Sequence, residues 1–337
     1  MPTRARAAAR AALLSVVALL AACGDGATGP AHTAHQTRVS FIRRPAYGES
    51  GRLMIAEIGA TDPRTLTPIG EAVGAFSWSP DGRTVAYAVN GQRQIAAIAA
   101  DGSGHHVIAT TTSSDAAFVA WSPDGHSLAF NDGATLIVLD PRNPTGTTAV
   151  FRVAQSEIWF PVWSPDSKQI AFNTSDYRLG VIDLVRGAVT LFGLPGPAAH
   201  PTWHPDATEL AYDDGQHIWT VNADGTDPRQ VVTQCPAGSA CAGQQFEYPH
   251  WSPDGLRFAV YVYAGPVAVM NADGSDVRLV VAAGYPYPHP TWSRDGRILF
   301  LANHTGTPKP YVMNADTTGL TPVTSGGSYD DMPQWIP

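Results

Sequence analysis

From residue 38 onward the chain reads as short apolar runs separated by clusters of Gly, Pro, Asp and Ser, the pattern of short strands joined by tight turns. The pattern repeats. Trp78, Trp121, Trp163, Trp203, Trp251, Trp292 and Trp335 stand 40 to 48 residues apart, and the first six are each followed by a turn sequence. That sequence is SPDG at 79–82, 122–125 and 252–255, SPDS at 164–167, HPDA at 204–207 and SRDG at 293–296. Proline presets φ, aspartate caps the turn and glycine tolerates the strained backbone, so each copy predicts a β-turn between two strands. An apolar-small-apolar triplet follows: Val85-Ala86-Tyr87, Leu128-Ala129-Phe130, Ile170-Ala171-Phe172, Leu210-Ala211-Tyr212, Phe258-Ala259-Val260 and, less strictly, Ile298-Leu299-Phe300. These predict strands buried on both faces, with a small middle residue that lets a neighbouring sheet approach. A third run ends in a hairpin at Asp101-Gly102, Asp224-Gly225, Asp273-Gly274 and, departing, Asp316-Thr317. A fourth short strand comes next, as in 64–67 and 320–323. Four strands per period of about 43 residues is the signature of a propeller blade.

Residues 38–78 hold a full unit ahead of the first SPDG, which makes seven units; six is the alternative count. The strand of Trp335 has no later strands to pair with. It is therefore expected to join the N-terminal strands of 39–70, so that one blade is built from both ends of the chain and no edge stays open. The expected fold is all-β: a seven-bladed propeller of four-stranded antiparallel blades over 38–337.

Composition agrees. The 32 glycines and 28 prolines argue against a mainly helical protein, and 44% hydrophobic with 15% charged residues suffices for a sizeable core. The net charge of −8 leaves no electrostatic footprint for nucleic acid.

The first residues read as an address. Arg4, Arg6 and Arg10 precede an apolar run over 11–22 of the length of a secretory h-region, so residues 1–22 are expected to be a signal peptide. The run ends in Leu20-Ala21-Ala22-Cys23, which resembles a bacterial lipobox; the resemblance implies acylation of Cys23 and its exposure as the mature N-terminus. Without the three arginines the mature chain would carry −11, so the membrane would be held through acyl chains alone. Residues 23–37 then form the lipidated cysteine and a flexible tether, and an outer-membrane location is preferred. Export also predicts a disulfide between Cys235 and Cys241, which lie six apart in a segment without further metal-ligand residues nearby.

The W-S-P-D-G turn, the apolar-Ala-apolar strand and the N-A-D-G hairpin together resemble the TolB-type propeller repeat, a relative of WD-repeat blades, over nearly all of 38–337. The resemblance is specific for fold and uninformative for function. TolB proteins carry a further α/β domain ahead of the propeller, and residues 1–37 are expected to leave no room for one.

Candidate chemistry sits just before each tryptophan, where the strand expected to line the hub begins. Three positions upstream stand Ala75, Phe118, Phe160, His200, Tyr248, His289 and Met332; one position upstream stand Ser77, Ala120, Val162, Thr202, His250, Thr291 and Gln334. Residues two apart share a strand face, so His200, Tyr248, His250 and His289 are expected to cluster. Asp115, Glu157, Glu247, Asp330 and Asp331 precede the same strands and are expected to ring one channel mouth. Two readings follow. In the first, the hub binds an envelope protein segment or a glycan without turnover, using His200, Tyr248, His250, His289, Glu247, Asp330 and Asp331. In the second, which resembles in kind the manganese-dependent oligogalacturonate lyases, His200, His250 and His289 hold a divalent metal and Tyr248 donates a proton during cleavage of an acidic saccharide. Ordinary polar residues facing water are the remaining alternative. No G-x-S-x-G elbow, H-E-x-x-H helix or P-loop is present.

Overall fold

The computed structural model describes residues 37–337 apart from 47–48, 61, 113–117, 146–148, 155, 232, 234, 236–240, 264, 281–288 and 304–305. The signal peptide, Cys23 and Asp115 lie outside the described residues. All described elements are strands, arranged as seven four-stranded antiparallel sheets in a ring.

Blade 1 comprises Val73–Trp78, Thr84–Val89, Gln94–Ala99 and His106–Thr110. The innermost strands of blades 2 to 6 are Val119–Trp121, Ile158–Trp163, Ala199–Trp203, Phe246–Trp251 and Thr291–Trp292, each followed in order by three more strands of its own sheet. Blade 7 is built from both termini. The strand Tyr329–Trp335 is innermost and pairs antiparallel with Arg38–Arg44, which is followed by Arg52–Glu57 and Arg64–Thr65. Seven blades and terminal closure are thus both realised.

The repeated turn works as its residues predict. In blade 1 the Ser79 hydroxyl donates to Asp81 at 2.6 Å, the same carboxylate accepts the Arg83 N–H, and Ser79 Oγ accepts the Thr84 N–H, while Gly82 takes φ 66°. The arrangement recurs around Asp124, Asp166 and Asp254, and in blade 4 the ring of His204 replaces the serine against Asp206. These aspartates form turns. The hairpin aspartates Asp101, Asp224, Asp273 and Asp316 accept the N–H two residues on.

Apolar side chains form seven buried clusters, each between two adjacent blades. The small residue of each triplet faces the next blade: Ala86 packs into blade 2, Ala129 into blade 3 and Ala171 into blade 4. Its bulky neighbours Val85 and Tyr87 face back toward blade 7. The tryptophans latch the ring. The indole N–H of Trp163 donates to the carbonyl of Ala120, Trp203 to Val162, Trp292 to His250 and Trp335 to Thr291, at 3.0–3.3 Å. Each acceptor lies one residue before the tryptophan of the preceding blade. Trp78 instead donates to the Ser40 hydroxyl at 2.8 Å in the closing blade. Cys235 and Cys241 are joined in a disulfide, with Cys241 buried against the core between blades 4 and 5.

Asp330, expected at a channel mouth, is fully buried, and this corrects that expectation. It joins three strands. Arg43 Nε and Nη2 donate to its two oxygens at 2.7 and 3.0 Å, Thr324 Oγ1 donates at 2.6 Å, and Lys309 Nζ lies at 3.3 Å. Asp331 is turned toward Arg44, 3.5 Å away, and accepts the Met332 N–H. Both carboxylates face the pairing of the terminal strands, because the positive partners lie on the N-terminal strand and on the neighbouring blade.

Candidate functional site

The innermost strands carry a motif beyond the tryptophan: X-Pro-X-Trp at 160–163, 200–203, 248–251, 289–292 and 332–335. In every one of these five copies the residue before proline has a positive φ, between 41° and 54°, at Phe160, His200, Tyr248, His289 and Met332. None is glycine, and a left-handed conformation costs an ordinary residue roughly 1–2 kcal/mol. Proline disfavours the right-handed α region for its predecessor, and strand pairing slips by one step at Trp159/Val162, Ala199/Thr202 and Glu247/His250. The bulge re-aims the side chain it carries.

Four of the re-aimed rings form a chain that also reaches Phe118, which has neither the proline nor the positive φ. Phe118 and Phe160 lie 4.9 Å apart, Phe160 and His200 4.8 Å, His200 and Tyr248 3.6 Å in a stacked pair, and Tyr248 and His289 4.7 Å edge-to-face. An aromatic arc therefore runs across blades 2 to 6. The predicted residues His200, Tyr248 and His289 belong to it, and His250 lines the same 180 Å³ pocket. Phe118 and Phe160, read from the sequence only as apolar neighbours, are equal members.

A larger cleft of 610 Å³ opens beside the arc and shares Phe160, His200 and Tyr248 with the smaller pocket. Trp159 and Tyr177 form one corner, with rings perpendicular at 6.4 Å. Asp213, Asp214 and Glu247 supply its charge, and among the described residues no Lys or Arg lines either pocket. Asp213 is buried and acts as a strut: its Oδ2 accepts from His200 Nδ1 at 2.8 Å and from the Tyr248 backbone N–H of the next blade at 3.1 Å. A carboxylate partner makes Nδ1 the protonated nitrogen of His200 and leaves Nε2 at the arc. Asp214 is likewise occupied, accepting the N–H groups of Gln216 and His217 and the Trp219 indole. Asp213 escaped the sequence reading although a signal existed. It follows the apolar-Ala-apolar triplet, where the other blades carry Ala88, Asn131, Asn173, Tyr261 and Leu301.

Burial pushes the Glu247 carboxyl above its usual range, the neighbouring Asp213 charge adds to this, and His200 opposes it. Burial, with a smaller contribution from His200, holds the His289 ring at about 4, well below an ordinary imidazole. Burial also lowers His250, whose Nδ1–H donates to the Trp251 carbonyl at 3.2 Å. The folded His289 thus resists a proton that the unfolded chain accepts near pH 6.5. Its penalty is absent above pH 6.5, grows as pH falls toward 4 and then levels off. His289→Gln is expected to flatten the acid loss of stability in that window by on the order of 2 kcal/mol, after allowance for the ring's partial exposure. Urea unfolding at pH 7 and pH 4.5 checks this; identical pH slopes in both chains would refute it.

Although His200, His250 and His289 line one pocket, the described residues contain no group of three or more His, Cys, Asp or Glu side chains gathered so as to hold a metal ion. Glu157 lies near the cleft edge, where it accepts from the Trp159 indole at 3.2 Å.

The ring, the bulged hub strands and the acidic cleft define a seven-bladed β-propeller with a concave recess at its hub. Three solved structures share that fold. TolB from Acinetobacter baumannii superposes with a TM-score of 0.57 at 16% identity, covering 89% of this chain and 67% of that one. A TolB from Agrobacterium tumefaciens described as putative gives 0.50 at 19%, covering 89% and 99%. An oligogalacturonate lyase in complex with manganese gives 0.60 at 17%, covering 85% and 84%. No protein-family model matches the chain, and no curated protein does either. At these identities the likeness is one of fold alone: the chain is a seven-bladed β-propeller similar in fold to those structures.

Proposed function

We propose that the chain is an exported, lipid-anchored propeller that binds a protein segment or a glycan of the cell envelope at its hub, without turnover. One observation carries this reading: a preformed cleft with aromatic walls and a few convergent polar groups, set in a rigid ring by inter-blade struts such as Asp213. The strained X-Pro-X-Trp bulges support it, because such conformations persist where surrounding structure holds side chains for a purpose. Envelope placement rests on the leader and on the lipobox at Cys23, with the outer membrane preferred.

The competing reading is a metal-dependent lyase or hydrolase for acidic saccharides, with His200, His250 and His289 as ligands and Tyr248 as proton donor. The fold shared with the manganese-bound lyase favours it. The electrostatics oppose it, since Asp213, Asp214 and Glu247 would repel a uronate and no Lys or Arg among the described residues lines the cleft.

One preparation tests both. A Cys23→Ser chain is expected to move from the membrane to the soluble fraction, and that protein, purified without chelator, is submitted to elemental analysis beside a His200→Ala/His289→Ala variant. The binding reading expects no stoichiometric divalent metal in either. Near-stoichiometric metal that vanishes in the variant would overturn it, and unchanged membrane fractionation would overturn the lipid anchor.

A further inference from the structure

The 610 Å³ cleft has a one-sided polar chemistry. Among the described residues its lining includes three carboxylates, the Asn173 amide and the His200 ring, with no Lys or Arg. Asp213 and Asp214 spend their oxygens on backbone N–H groups, on His200 and on the Trp219 indole. Two acceptors are left over. The Glu247 carboxylate accepts no hydrogen bond from the described residues, and burial beside Asp213 already disfavours its charge. Asn173 is almost fully buried, and its Oδ1 has no hydrogen-bond partner.

The orientation of that amide follows from its surroundings. Its Nδ2 donates to the Thr174 carbonyl at 3.3 Å, and a flipped amide would set oxygen against oxygen there. This assigns the oxygen as the unpartnered atom of a side chain that belongs to the cleft lining. The corresponding residue of blade 2, Asn131, uses its Oδ1 to accept the Phe118 N–H at 2.9 Å. Asn173 has the same place in its blade and no such donor. A buried, unmatched acceptor carries its full desolvation penalty, which a ligand bearing N–H donors removes.

The walls suit the same ligand. Trp159 and Tyr177 meet at 90°, with Phe160 and Tyr248 on the arc side, so aromatic surface surrounds the acceptors. Aromatic faces attract cations. Arg178, next in sequence to Tyr177, is held by Asp176 at 2.8 Å.

We infer that this cleft is a cation subsite that takes the ammonium or guanidinium group of a Lys or Arg side chain on a protein segment, its N–H donors meeting Glu247 and Asn173 Oδ1 and its charge lying against Trp159 and Tyr177. The inference rests on the hub-binding reading and narrows it to one partner chemistry. Charge complementarity supports the choice, since the mature chain would carry −11 and, among the described residues, the ionisable lining beside His200 and the tyrosines consists of carboxylates.

The test uses calorimetric titration of the full-length chain with the capped tripeptides acetyl-Gly-Lys-Gly-amide and acetyl-Gly-Arg-Gly-amide, against the Gln and Glu counterparts and glucosamine. The Lys and Arg peptides are expected to bind saturably, to weaken with added salt, and to lose about tenfold in affinity in Glu247→Gln and in Trp159→Leu. Asp227→Asn, an exposed carboxylate away from the cleft lining, is expected to leave binding unchanged, and thermal melts confirm that the variants are folded. Equal binding of the Gln or Glu peptide would overturn the cation subsite while leaving hub binding intact. Preference for glucosamine would overturn the protein-segment assignment. Absence of binding by every probe would overturn the inference and the hub-binding reading with it.

Discussion

Removal of residues 333–337 is expected to lower the melting temperature by at least about 10 °C. The deleted segment is short, but it carries Trp335 and Ile336, both buried, in the two inter-blade cores on either side of the closing blade. Burial of two such side chains is worth about 5 kcal/mol. The pairings Val39–Trp335 and Ser40–Gln334 go with them, as do the Gln334 hydrogen bond to the Phe76 carbonyl and the Trp335 latch onto Thr291. The loss is cooperative, because an open ring exposes the edge of Arg38–Arg44 and the inner face of its neighbour. Against a typical total of about 5–15 kcal/mol, this is a large fraction. For a chain of this size 1 kcal/mol corresponds to roughly 2–4 °C, which sets the scale of the shift. Circular dichroism melts of the two chains decide it, and coincident curves would show the terminal strand to be dispensable.

The second large effect belongs to Asp330. Its carboxylate receives hydrogen bonds from Arg43, Thr324 and Ser328, and Lys309 lies beside it with a side chain only 2% exposed. The Lys309 ammonium also donates to the Ser328 carbonyl. Burial lowers the Lys309 pKa, and the Asp330 charge counteracts this. Asp330→Asn therefore leaves a buried ammonium without its counter-charge, at an expected cost of about 3–5 kcal/mol. Arg43 is a quarter exposed and can turn to water; Lys309 cannot. The double variant Asp330→Asn/Lys309→Met is accordingly expected to recover part of the loss, which distinguishes a stranded charge from simple misfolding. Chemical unfolding of the four chains of this cycle measures the coupling. A single-variant loss below about 1 kcal/mol would show that the clasp contributes little. The clasp also explains why the blade made of both termini needs no covalent closure. Its Arg43–Asp330 ion pair joins strands 287 residues apart in sequence.

The two effects act on the same closing blade from different sides, one through apolar packing and one through charge. Their comparison tests whether closure is mainly hydrophobic. Dispersion and burial in the two flanking cores should dominate, because a buried ion pair returns little beyond its own desolvation cost.

Much of this architecture was legible in the chain before folding was considered. The period, the turns built on Asp81 and its counterparts, the alternation of bulky and small residues in the second strands, the seven units and the closure by Trp335 all depend on interactions within a repeat or between adjacent repeats. Such interactions leave a periodic trace, since every blade solves the same packing problem with the same residue types. His200, Tyr248 and His289 could be placed together for that reason: they occupy one column of the repeat. The members of that column that look unremarkable, Phe118 and Phe160, were missed because contact between rings depends on direction. For Phe160 the direction comes from the left-handed bulge before proline, with the X-Pro-X-Trp motif as its available signal, whereas Phe118 lacks both and joins the arc through its contact with Phe160.

What only the tertiary structure decided lies where the repeat is broken. Asp330 sits near the hub strand in sequence, as Glu247 does, yet one is sealed in a clasp and the other borders a cleft. The difference is made by Lys309 on the adjacent blade and by Arg43, which reaches Asp330 only once the terminal strands have paired. Asp213 likewise became a strut, and Asn173 an unmatched acceptor, through neighbours about 35 residues away or through the lack of one. The sequence by itself determined the blades, because their stability is local and repeated. The partners of each buried charge were left to the closed ring, because a charge is set by everything around it in space.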